Sequence, residues 1–239
     1  MCDAQEARHM CGKFTQMASW AEIHAFSTVI GSDDGVRPAS SRNDAPETVT
    51  PMRAAHVIRL NEAGARETMP MRWGFIDRAS PAPFARPRHM HARGETVDRL
   101  PTFAAAFARR RGLVAVKTFN VGEEIGKKTV QHVLTPCDGL PIGIAVIWEA
   151  VAGPDGQPLL TFVMVTTAPN DLIGRVTDRM PAVIPAEQWG TWLGEDGASA
   201  ADAKALLMPY AGELDMAVQA KPASRARGGG TQARAPLMI

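Results

Sequence analysis

Residues 112–119 read "GLVAVKTF", and three more apolar runs follow: "VQHVL" (130–134), "IGIAVIWEAV" (142–151) and "LLTFVMVTTA" (159–168). Each is rich in β-branched residues, and Gly, Pro and Asp turns such as "GPDGQP" (153–158) separate them. This spacing predicts a sheet as the centre of the fold. Working outward, "AAHVIRL" (54–60) alternates like a strand, and "ETMPMRWGFI" (67–76) pairs with it as a hairpin across "NEAGA" (61–65). "TVDRLPTFAAAFARRR" predicts a helix begun near Pro101, with Phe103 and Phe107 on one face, Arg109 to Arg111 in its last turn and an end at Gly112. "MASWAEIHAFST" (17–28), "PAEQWGTWLG" (185–194) and "SAADAKALLMPYA" (199–211) predict further helices. Turn formers dominate 31–51 and 77–95, which predicts two long loops, and "KPASRARGGGTQARAPLMI" (221–239) is too rich in Gly and Arg for regular structure throughout.

Composition narrows the function classes. A chain of 239 residues with 45% hydrophobic residues can build one large core. Lys+Arg 26 against Asp+Glu 25 leaves a net charge of +1, so a phosphate-binding surface has to be a local cluster. Three cysteines, Cys2, Cys11 and Cys137, form neither an even framework nor a metal-ligand spacing. No metal or cofactor is expected. No apolar run approaches a membrane span and no signal-like segment opens the chain, so the expectation is a cytoplasmic monomer without membrane contact.

Two Met-Cys pairs stand near the start, Met1-Cys2 and Met10-Cys11. A cysteine that becomes the first residue carries a free α-amine and a thiol on one carbon skeleton, which no internal cysteine offers. Taken in order, "MCGKFTQ" (10–16), "RNDAP" (42–46), "RWGFI" (72–76), "HARGET" (91–96), "FNVGEE" (119–124) and "TDRMP" (177–181) resemble the SOS response-associated peptidase (SRAP) family, the domain of abasic-site processing proteins. The resemblance runs from Met10 to about residue 220. It implies an α+β, mainly β fold with a curved, barrel-like sheet and peripheral helices, preceded by a 1–9 extension and followed by the 221–239 tail.

The resemblance also implies the chemistry. In that family a cysteine after the initiator methionine links covalently to abasic single-stranded DNA. The opened deoxyribose presents an aldehyde; the α-amine condenses with it, and the thiolate closes a thiazolidine. Here the matching nucleophile is Cys11. It requires either translation from Met10, which we favour, or removal of residues 1–9 by self-processing. Lys13, Arg93 and Arg179 fall where the family uses basic side chains on phosphates, and Asn43 and Trp73 fall in loops lining the strand-binding cleft. For Trp73 the plainer reading is a core anchor.

Three departures bear on activity. His91 replaces an asparagine and can titrate near neutral pH but cannot mimic an amide. The family acid normally follows the aromatic pair directly, whereas here Val121 and Gly122 intervene before Glu123 and Glu124, which leaves either as the site acid or both as an exposed acidic turn. Thr177 stands where the family has a proton-shuttling histidine, and a hydroxyl is a poor acid or base near neutrality. His24, His56, His89 and His132 have no motif placing them. The rival reading is therefore a single-stranded DNA-binding module of the same fold with weakened chemistry. A thiol peptidase acting on ordinary polypeptides is a third reading, and it lacks a supporting Cys-His pair.

Overall fold

The computed structural model describes residues 13–16, 48–78, 89–153 and 156–219. The helix expected over 17–28, most of the 31–51 loop and the tail from 221 lie outside them, as do both Met-Cys pairs and Asn43. In chain order the elements are β1 (Phe14–Gln16), β2 (Thr48–Val49), β3 (Ala54–Leu60), β4 (Arg66–Trp73), β5 (His91–Arg93), α1 (Pro101–Arg109), β6 (Arg111–Ile125), β7 (Lys128–Pro136), β8 (Ile142–Ala152), β9 (Pro158–Thr167), β10 (Met180–Pro181), β11 (Val183–Ile184), α2 (Trp189–Leu193), α3 (Ala200–Ala205) and β12 (Leu214–Val218).

Five strands close on themselves in the order β3-β4-β9-β8-β6. The ring closes because β6 pairs antiparallel with β8, from Arg111↔Ile147 to Val116↔Ile142, and touches β3 at Ile58↔Leu113. β4 and β9 pair in parallel at Trp73↔Phe162. Successive side chains of β6 serve opposite faces. Val114 and Val116 join Val57, Met71, Ile144, Val146, Phe162 and Met164 inside the barrel. Leu113 and Ala115 point outward, where Phe103 and Phe107 of α1 and Trp189 and Trp192 of α2 cover them. Burial on both faces is why these runs read as continuous apolar segments rather than alternating ones.

Close approaches fix two glycines. A Cβ on Gly112 would lie 2.6 Å from Val57 Cγ1 at the seam of the barrel, and one on Gly143 would lie 2.6 Å from the Trp189 indole nitrogen. Neither contact tolerates a side chain. In the β3-β4 turn, Asn61 Oδ1 accepts from the backbone N–H groups of Ala63 and Ala65 at 2.9 and 3.0 Å.

Helix α1 ends earlier than expected. Pro101 opens it, but it stops at Arg109, and Arg111 is the first residue of β6 and is buried. Its guanidinium donates to the carbonyls of Phe107 (2.9 Å) and Ala108 (3.1 Å) at the end of α1 and to that of Trp192 in α2 (2.5 Å). Carbonyls left over at helix ends thus satisfy a buried cation, and burial lowers its pKa. The last helix is also shorter than its pattern; Ser199 and Asp202 form a reciprocal capping box, and the helix ends before Leu206, three residues short of Pro209.

β6 is long enough to leave the barrel. Its second half pairs with β7 from Phe119↔Leu134 to Ile125↔Lys128, and β12 adds to β7 from Leu214↔Pro136 to Val218↔His132. The hairpin turns at Gly126, whose φ is +63°, in a two-residue loop. The 119–124 segment is therefore strand, and the acidic-turn reading of Glu123 and Glu124 is corrected. The sequence also gave no signal for β5, inside the expected 77–95 loop, or for β12.

Candidate functional site

The first described residues are fastened to β6. Phe14 stands opposite Phe119 and Thr15 opposite Thr118, and the Asn120 N–H donates to the Lys13 carbonyl at 3.0 Å. The Lys13 ammonium donates to Gln219 Oε1, which also receives Asn120 Nδ2 at 3.5 Å. On the other side, the Gln16 side-chain amide spans the His56 peptide: Nε2 donates to the His56 carbonyl at 2.7 Å and Oε1 accepts from its N–H at 3.0 Å.

From Phe14 a chain of rings crosses the barrel end. Its ring lies 5.2 Å from that of Trp73, which stacks near Phe162 at 6.2 Å and meets the edge of His91 at 5.8 Å. Trp73 is 0% exposed, and its Nε1–H donates to the Met90 carbonyl at 2.9 Å. This enclosure supports the core-anchor reading of Trp73.

β5 runs parallel to β9, placing His91 opposite Met164 and Arg93 opposite Thr166. His91 is half-buried beside Trp73, and Arg93 is exposed. Next to it, Glu95 receives both terminal nitrogens of Arg179, at 2.5 and 2.8 Å, while Arg179 Nη2 also reaches the Thr166 carbonyl (2.7 Å) and hydroxyl (3.2 Å). The Arg179 hydrogen bond is the first cause holding the Glu95 carboxyl below its ordinary range, against a desolvation that raises it. "HARGET" and "TDRMP" thus form one structural unit. Arg179, only 11% exposed at its side chain, is held by the Glu95 carboxylate and the Thr166 carbonyl.

Glu123 and Glu124 point to opposite sides of β6. Glu124 is exposed; Glu123 Oε2 lies 2.7 Å from His132 Nε2 on β7, with side-chain exposures of 30% for the acid and 9% for the imidazole. Val121, directly after Phe119-Asn120, is wholly buried. Thr177 follows a short 3₁₀ turn (Ile173–Arg175), is half-buried, and bonds the Ile173 carbonyl through its N–H at 3.1 Å. Cys137, beyond β7, is exposed, and its thiol is pushed up by partial desolvation and by Asp215, Glu213 and Asp138, which disfavours a thiolate there.

Sequence reasoning missed three side-chain partners of the expected site residues: Glu95, His132 and Gln219. The hairpin held a signal for His132, because counting outward from a two-residue loop at Gly126-Lys127 sets Val121 opposite His132. Among the described residues no group of three or more His, Cys, Asp or Glu is placed to hold a metal, and no helix is long and apolar enough to cross a membrane.

Phe14, Trp73, His91, Phe119 and Arg179 come from five separated motifs, and the fold brings them to one end of the barrel and the adjoining strands. The sequence model described as SOS response associated peptidase (SRAP) matches residues 10–225. The chain belongs to the SRAP family. Curated relatives include the abasic site processing protein YoqW of Bacillus subtilis, 25% identical over 84% of this chain and 88% of its own length. Another is YoaM of the same organism, 24% identical over 84% and 86%. Among solved structures, a Bordetella bronchiseptica protein covers 88% of this chain and 100% of its own at 23% identity with a TM-score of 0.71. One from Bacteroides thetaiotaomicron covers 87% and 91% at 20% identity with a TM-score of 0.70. These two likenesses support the barrel fold; the SRAP match and the named relatives reach further.

Proposed function

We propose that this SRAP-family protein processes abasic sites in single-stranded DNA and that its Cys11, once N-terminal, forms a thiazolidine with the opened sugar. The α-amine attacks the aldehyde carbon, water leaves to give the imine, and the thiol adds across it: sulfur bonds to carbon and the nitrogen takes the proton. The observation that carries this reading is the fastening of Lys13–Gln16 to β6 beside the Phe14-Trp73-His91 row. Two peptide units separate Lys13 from Cys11, about 7 Å of chain at most. The family match begins at Met10, directly before Cys11, and the named relatives are abasic site processing proteins.

Arg93 is the exposed cation beside this row and supplies phosphate attraction, with Lys13 and Asn43 as further strand contacts. His91 and one carboxylate of β6 handle protons, and Thr177 orders a water or a sugar oxygen. Residues 1–9 are removed by self-processing or not made. A reducing cytoplasm suits the free thiol, and the protein acts as a monomer. The second reading, a binding module with weakened chemistry, is favoured by buried Val121 and by Thr177, neither of which transfers protons near neutrality.

The test is incubation of the protein beginning at Cys11 with an abasic single-stranded oligonucleotide, followed by denaturing electrophoresis. A resistant shift is expected, lost in Cys11→Ala and absent from uncut protein that retains residues 1–9. An adduct in Cys11→Ala, or efficient crosslinking by verified uncut protein, overturns the thiazolidine assignment. Binding with no adduct supports the second reading.

A further inference from the structure

Closing a thiazolidine moves protons several times. The amine must be neutral to attack, the carbinolamine oxygen must leave as water, and the thiol must give up a proton as the imine nitrogen gains one. Neither the buried Val121 nor the hydroxyl of Thr177 does this near neutrality. The strands beside Lys13 hold a pair that does. Glu123 lies on the same face of β6 as Phe119 and Val121, with Phe119 opposite Phe14, and its Oε2 is 2.7 Å from His132 Nε2. The Lys13 carbonyl is bonded to Asn120, three residues before Glu123, or about 10 Å along a strand. Gln219 ties the two regions together: its backbone N–H donates to the Gln131 carbonyl at 2.7 Å and its side chain accepts from Lys13.

We propose, resting on the function argued above, that Glu123 is the carboxylate that meets the reacting groups and His132 the positioning residue that orients it and relays its proton. The exposures assign the roles. Glu123 keeps 30% of its side chain accessible, whereas His132 keeps 9%, so the acid faces outward and the imidazole stands behind it. With Nε2 protonated, His132 donates to Oε2 and leaves Oε1 to the substrate. In the cycle Glu123 takes a proton from the α-ammonium and returns it to the departing carbinolamine oxygen as water forms. It then takes the thiol proton and delivers it to the ring nitrogen, ending as it began. Opposite His132 stand Val121 on β6 and Val218 on β12, both uncharged, so Glu123 is its charged neighbour in the pair. Glu124 points to the other side of the strand and takes no part.

Two measurements test this. In the full chain, the hydrogen-bonded Nε2–H proton resonance of His132 is expected downfield and moved upfield in Glu123→Gln, whose neutral amide oxygen accepts more weakly than a carboxylate; an unchanged shift overturns the pairing. In the protein beginning at Cys11, adduct formation is followed across pH. Glu123→Gln is expected to slow it about 10²–10⁴-fold, the usual range for general acid-base assistance, and His132→Asn about tenfold with a displaced pH-rate limb. If the parent crosslinks through Cys11 while both variants keep its rate and pH profile, the relay is refuted and the function stands. If the parent forms no adduct, the function itself is refuted. Should His132→Asn fail to fold, as a melting curve shows, Glu123→Gln at the more exposed position decides alone.

Discussion

Replacing Trp73 separates a core anchor from a stacking platform. The indole is fully enclosed, contacts Phe14, Phe162 and His91, and spends its N–H on the Met90 carbonyl. Truncation to Ala in such a site costs about 3–5 kcal/mol through lost burial and the cavity left behind. Trp73→Phe keeps much of the apolar volume but removes the shorter of two hydrogen bonds to the Met90 carbonyl, which retains the Met164 N–H at 3.2 Å, and thins the packing, for about 1–3 kcal/mol. With a urea slope of about 2.5 kcal/mol per molar, these become midpoint shifts of about 1–2 M and about 0.4–1 M. Urea unfolding followed by tryptophan fluorescence and circular dichroism gives the first readout. Affinity of the folded protein for undamaged single-stranded DNA gives the second. We expect Trp73→Phe to lose stability and keep affinity. The reverse pattern, an unchanged midpoint with binding weaker by the about 1–3 kcal/mol that a base-aromatic stack contributes, refutes the anchor assignment.

Arg93→Ala should lower the slope of log affinity against log salt by about 0.7 in fluorescence-anisotropy titrations, one phosphate contact on a single strand; an unchanged slope removes Arg93 from the interface. Arg179→Ala should leave that slope nearly intact while loosening "HARGET" from "TDRMP", visible as faster amide exchange at Gly94. Glu95 has its folded pKa depressed, so its contribution to stability is present above the ordinary carboxylate range, about 4.3, and fades as pH falls through the lower folded value. Glu95→Gln should therefore flatten the acid side of a melting-temperature profile, and an unaltered profile counts against the pair. Thr177→His should speed release of DNA from a preformed adduct chased with competitor, without changing affinity for undamaged strands; an unaltered release rate places the shuttle elsewhere.

How much of this was legible in the sequence depends on what each residue answers to. The strands from 112 to 168 were readable because both faces of a closed barrel are buried, which leaves long β-branched runs. The hairpin at "NEAGA" was readable because Asn61 and Gly64 serve one local turn. β5 was not: three residues inside a proline-rich stretch become strand only because β9 offers an edge. Arg111 was misread for a related reason, since a run of three arginines looks like a solvated helix end until the carbonyls of two helices converge on the last of them. At the site, the resemblance found the motifs, but partnership decides what a side chain can do. Arg179 became a clamp through Glu95, and His132 meets Glu123 through a register that only the hairpin sets.

Gln16 joins the first strand to the barrel by imitating a peptide group, presenting a carbonyl and an N–H to His56 as a neighbouring strand would. A side-chain amide differs from a backbone one in a respect that matters over a molecule's lifetime: it can be hydrolysed without cutting the chain. Deamidation would set a carboxylate, 4% exposed at this position, against the His56 carbonyl oxygen, turning an attraction into a repulsion. The pairings among the five barrel strands would remain, while His56 on β3 would lose a partner for its carbonyl and the first strand would come loose from it. Age would then loosen this strand before it unfolds the barrel, and faster exchange at Thr15 with a lowered melting temperature would be its signature.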